Sequence, residues 1–88
     1  MHMMPEFKKL HQVICRTESR EDERPLKFRL GDDWIEVDQV IAAWLERGPA
    51  EGAATYRVFD VQCGQDVYRL RTPVYGWVWE YCKKSFSA

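Results

Sequence analysis

Short runs of alternating apolar and polar residues, each closed by a glycine turn, constrain this chain more than any other feature. Leu26-Lys27-Phe28-Arg29-Leu30 alternates and is interrupted by Gly31-Asp32-Asp33. Residues 56–61 (YRVFDV) are followed by Cys63-Gly64-Gln65-Asp66, then by Val67-Tyr68-Arg69-Leu70-Arg71. Gly76 introduces Trp77-Val78-Trp79-Glu80-Tyr81. A period of two, rich in β-branched and aromatic residues and bounded by Gly, Asp and Pro, marks half-buried antiparallel strands.

Eighty-eight residues make a single domain, with no room for a second independent core. A domain this short buries only roughly 60–65% of the surface its unfolded chain exposes, so pairing with a second copy would raise its stability. Thirteen basic residues nearly cancel fourteen acidic ones, for a formal charge of −1. That balance argues against a phosphate-holding nucleic-acid binder, which usually carries a basic face. Cys15, Cys63 and Cys82 are odd in number and widely spaced, unlike a secreted disulfide framework. Residues 1–5 carry no apolar signal core, and no apolar run approaches the length of a membrane span. A reducing cytoplasm, with no membrane partner, is the expectation.

Along the chain, residues 1–24 divide into a loose end, a strand with an irregularity at 7–15, and a charged solvated loop at 16–24 (RTESREDER). Residues 25–88 form the compact β domain. Pro25 opens a strand through about Leu30, Gly31-Asp32-Asp33 turns tightly, and Trp34-Ile35-Glu36-Val37 begins the next. Residues 38–47 read two ways. Val37, Val40, Ile41, Trp44 and Leu45 fall on a helical stripe, with Asp38 as N-cap and Gly48-Pro49 as stop. The same residues also fit a long bent strand with a bulge near Asp38-Gln39. After a small-residue connector at 48–54, residues 55–62, 67–71 and 77–82 form a β-meander. Several of these strands are apolar on both faces, so one sheet with a wet side does not suffice. The fold expected is mainly β: a curved antiparallel sheet or SH3-like small barrel of about five strands, with room for one short helix at 38–47.

The elements Phe28, Gly31, Trp34-Ile35-Glu36-Val37, Val40-Ile41, Trp44, Tyr56-Arg57-Val58, Gly64, Tyr68-Arg69-Leu70 and Trp77-Val78-Trp79 together resemble a small bacterial domain family of unknown function. Its members lie near, or are fused to, DNA-repair and translesion-polymerase-type genes. The resemblance covers residues 26–81 and implies partners in DNA maintenance. Around the first glycine turn the family often has a tryptophan and arginines, where this chain has Leu30 and Asp32-Asp33. The family has no assigned chemistry, so no catalytic residue carries over.

Candidate chemistry is sparse. His2, His11, Cys15, Cys63 and Cys82 are soft ligands, but none stand at the C-x-x-C or H-x-x-x-H spacings of structural zinc sites. Cys63 beside its turn, with His11 as base, is the one nucleophile pair to weigh, and an ordinary turn cysteine is the preferred reading. Asp32 and Asp33 read as turn formers rather than an acid–base pair. The expectation is therefore no catalytic residue, no cofactor and no metal.

The aromatics are more numerous than a core of this size requires. An exposed subset could stack bases or anchor a protein partner, against the blander reading of core filling and a homodimer seam. The candidate interaction surface comprises Trp34, Tyr75, Trp77 and Trp79, with Arg57, Arg69 and Arg71 as a basic stripe. The function expected is that of a small cytoplasmic interaction or accessory module, not an enzyme, working on a protein partner or on itself as a homodimer. The alternatives are a barrel that binds single-stranded nucleic acid in DNA maintenance, and a small-ligand binder or enzyme.

Overall fold

The structure, a computed structural model, describes residues 6–16 and 23–84; the expected loose end at 1–5 and most of the charged loop lie outside them. Eight strands occur among the described residues: β1 (Lys8–Leu10), β2 (Val13–Arg16), β3 (Arg24–Leu30), β4 (Asp33–Glu36), β5 (Gln39–Arg47), β6 (Thr55–Cys63), β7 (Asp66–Pro73) and β8 (Trp79–Lys84). They form two antiparallel sheets, one ordered β1-β8-β7-β6-β5 and one ordered β2-β3-β4.

The two glycine turns expected from sequence are present and built alike. Leu30 pairs with Asp33 around Gly31-Asp32, and Cys63 pairs with Asp66 around Gly64-Gln65. Gly31 and Gly64 have φ of 60° and 62°, a region open to glycine at little cost and matched to the twist of a hairpin. Asp38 fastens the second turn from outside, its Oδ2 accepting from the Gly64 amide at 2.7 Å.

Of the two readings of 38–47 the strand is the one that forms, over Gln39–Arg47, and no helix does. β5 pairs along its length with β6, with Val40 opposite Val61 and Ala42 opposite Asp60. Ile41 is therefore an extra residue, a β-bulge that flips the alternation. Val40 turns inward onto the core, whereas Trp44, opposite Val58, lies on the other face. Two half-buried residues four apart mimic a helical stripe while facing opposite ways.

The sheets also do not close into the small barrel that was the other expectation. Two corners carry the chain from one sheet to the other: His11-Gln12 between β1 and β2, and Val37-Asp38 between β4 and β5. Backbone bonds pin them, from Arg29 N–H to Gln12 C=O (3.0 Å), Val37 N–H to Leu26 C=O (2.9 Å) and Asp38 N–H to Gln62 C=O (2.8 Å). Ladder pairing breaks at these corners, and β5 and β2 keep separate edges. Leu10, Phe28, Phe59, Val61, Cys63, Tyr68 and Leu70 fill the space between the sheets. They occupy the half of the β6–β7 hairpin nearest Gly64. Phe28, Val61 and Leu70 are completely buried, each side chain contributing about 1.5–3 kcal/mol by leaving water.

Candidate functional site

The half of the hairpin away from Gly64 is less well covered. From there to the β1–β2 corner run three hollows of about 320, 600 and 540 Å³ that share lining residues and together make up a mouth. Glu23 lines all three, and Trp77 and Trp79 line the two larger ones. Strand β7 ends at Pro73, where the Val74 amide donates to Thr55 C=O at 2.9 Å and ties the following loop to the start of β6. Thr72 Oγ1 donates to Val78 C=O at 3.0 Å and closes that loop from its other side. Between these ties the chain has no strand partner among the described residues, and Tyr75 and Trp77 stand 97% and 96% exposed.

The sequence-derived aromatics gather around this mouth. Trp34 lines one hollow and Tyr75 another, and Trp77 and Trp79 border both. They are not equivalent. Trp79 begins β8 and packs on Phe59, with ring centroids 6.0 Å apart, so its inner side belongs to the core. Trp77, expected within the last strand, lies in the loop before it. Trp34 holds Lys27 Nζ 5.1 Å above its ring.

The three arginines are not brought together. Arg57 lies opposite Thr72, whereas Arg71 lies opposite Val58 and Arg69 opposite Asp60. Because side chains alternate along a strand, Arg57 shares the mouth-side face with Phe59, and Arg69 and Arg71 share the other. On that outer face Arg69 makes two bonds to Asp60, at 2.8 and 3.1 Å. Arg71 Nε reaches Glu80 at 3.0 Å. Aromatic rings stack on the same cations: Trp44 under Arg69 at 4.9 Å, Phe7 and Tyr56 under Arg71 at 3.8 and 4.5 Å. This layer covers Val58, which is fully buried although it sits on the sheet's outer side. Arg69 and Arg71 thus serve as lids with their charges occupied, and Arg57, on the opposite face, lines the mouth.

Against family models, curated proteins and solved structures, the chain finds no match. What the mouth can hold follows from its own side chains: aromatic walls, Pro73 in the lining, and Glu23, Arg24 and Arg57 as charged points. Sequence reading missed Glu23, which is one of several acids in the charged run at 16–24. Leu45, 66% exposed beside the smallest hollow, was hidden in the false helical stripe.

The other candidate groups are placed as follows. Among the described residues no three His, Cys, Asp or Glu side chains converge as a metal site; His2 lies outside them. Asp32 is fully exposed in its turn, 3.6 Å from Arg29. Burial, with the charges of Asp38 and Asp66, pushes the Cys63 thiol up to about 11. Burial and then Glu23 push Cys15 up to about 12. Cys82 is also raised, mainly by burial. Only the thiolate attacks an electrophile, so iodoacetamide at pH 7.5 should modify the native protein far more slowly than the urea-unfolded chain. Equal rates, followed by intact mass, would show that one of these thiols is ionised and accessible.

Proposed function

We propose that this domain is a non-enzymatic cytoplasmic interaction module whose working surface is the aromatic rim of the mouth, with a protein as partner. The exposure of Tyr75 and Trp77 on a loop tied at both ends carries the reading. A large aromatic left in water forgoes about 1.5–3 kcal/mol of burial. A protein surface that covers it recovers that energy, which is why Trp and Tyr dominate binding hot spots. Val74 and Val78 are exposed in the same loop and extend the apolar rim. The family resemblance of residues 26–81 directs the search for that partner to DNA maintenance. Arg69 and Arg71 are already held by Asp60 and Glu80, and the formal charge is −1, which favours a protein over a phosphate backbone.

The test compares the wild-type domain with a Tyr75→Ser/Trp77→Ser variant as immobilised baits. Both side chains are solvated, so the variant should melt at the wild-type temperature. A defined host protein should be recovered by the wild type and fall about tenfold or more on the variant. Identical recoveries would remove the rim as the binding surface. Salt-sensitive binding of a labelled single-stranded oligonucleotide, lost in the same variant, would replace the protein reading with the nucleic-acid one.

A further inference from the structure

Among the described residues, strand β5 is an outer edge of the five-stranded sheet, and it is nine residues long. Sheet edges are commonly blunted by shortness, proline or inward charge, because open N–H and C=O groups pair readily with another strand. β5 contains no proline, and its exposed side chains include Ile41 and Leu45, at 51% and 66%. Gly48 N–H donates to Ala54 C=O at 3.2 Å, which fixes the phase of the ladder with β6. Antiparallel bonding alternates, so Glu46, Trp44 and Ala42 direct their backbone groups to β6. Ala43, Leu45 and Arg47 direct theirs to the open edge.

We propose that β5 pairs antiparallel with β5 of a second copy, about a two-fold axis at Leu45, joining two five-stranded sheets into one of ten. The register follows from the bulge and the charges. A two-fold at Ala42, Ala43 or Trp44 would draw the bulged Ile41 into the ladder. One at Glu46 sets carboxylate against carboxylate, and one at Arg47 sets guanidinium against guanidinium, both unfavourable directly across a pair. At Leu45 the regular residues 43–47 pair among themselves, Ala42 falls opposite Gly48, and Ile41 stays outside the ladder. Ala43 then faces Arg47 and Trp44 faces Glu46, with no like charges opposed. Leu45 meets Leu45 of the partner subunit beside the hollow of about 320 Å³ that Ala43, Leu45 and Phe59 help to line. Two exposed leucines become a shared apolar contact where each subunit has unfilled space. This interface is separate from the aromatic rim, and the Tyr75→Ser/Trp77→Ser variant should leave it unchanged.

Sedimentation velocity over a concentration series tests the pairing with the wild type, Leu45→Lys, Leu45→Glu and an equimolar mixture of the two variants. The wild type should dimerise, and each variant alone should dissociate about tenfold or more readily. The mixture should re-form dimers, because this register puts position 45 opposite itself. A wild type that stays monomeric throughout, variants that dimerise like it, or a mixture that does not recover would each overturn the proposal. Amide exchange of the wild type gives a readout independent of variant folding: Ala43, Leu45 and Arg47 should gain protection as concentration rises. Protection unaffected by concentration, or appearing only when another protein is added, would overturn the second copy as occupant.

Discussion

Replacing Phe28 with alanine is expected to remove about 3–5 kcal/mol of stability, the usual range for a fully buried phenylalanine. Phe28 is completely buried on β3. Its ring meets Tyr68 of the larger sheet edge-on, with centroids 5.3 Å apart. Within its own sheet it stands between Val13 and Ile35, so its loss opens a cavity where two sheets and three strands meet. The whole fold is worth only about 5–15 kcal/mol, and a small domain lies toward the lower end. Urea denaturation should therefore show Phe28→Ala near the edge of folding. Trp77→Ala, which removes a larger but solvated side chain, should stay within about 0.5 kcal/mol of wild type. A Phe28→Ala loss below about 1 kcal/mol would mean that the sheets do not pack across this ring.

The second large effect belongs to Asp60. Its side chain, 12% exposed on the outer side of β6, holds Arg69 at 2.8 Å and Lys84 at 3.3 Å. Burial pushes its pKa up, but the hydrogen bonds and charges of Arg69 and Lys84 outweigh that and hold it below the ordinary 3.8. An aspartate with a depressed native pKa adds stability that is fully present above the unfolded value and disappears as pH falls through the native one. Asp60→Asn should cost about 2 kcal/mol at pH 7, less than a fully buried pair because both cations keep partial contact with water. The gap between wild type and variant should narrow below about pH 4 and vanish once wild-type Asp60 is protonated. A gap that stays constant from pH 7 to pH 2.5 would show that charge on Asp60 contributes nothing.

The parts of the fold that were legible in advance share a local cause. Gly31 and Gly64 announce turns because two-residue hairpin loops demand positive φ, and φ is a property of one residue. Alternation around Phe28, Val58 and Leu70 announces strands because side-chain direction repeats every second residue. The stretch 38–47 allowed both a helix and a bulged strand, and the strand forms: one extra residue at Ile41, rather than near Asp38-Gln39, converts a period of two into a spacing that imitates a helix. The exposure of Tyr75 and Trp77 was legible from Gly76 and the turn-like composition around it. The arginine stripe was not, because nothing in the strings around Arg57, Arg69 and Arg71 says that Tyr56 pairs with Pro73 and so sends Arg57 to the opposite face.

Taken alone, the order of residues determined that this protein is built from antiparallel strands, where its tight turns lie, and that it carries more aromatic rings than its core can use. The tertiary structure alone decided the register, the bulge, the two corners and the mouth that collects Trp34, Tyr75, Trp77 and Trp79. Those features arise from pairing between residues far apart in the chain, and a hydrogen-bond ladder can slide by two residues without changing any local preference. Only the joint packing of Phe28, Tyr68 and Leu70 between two sheets selects one register over the others.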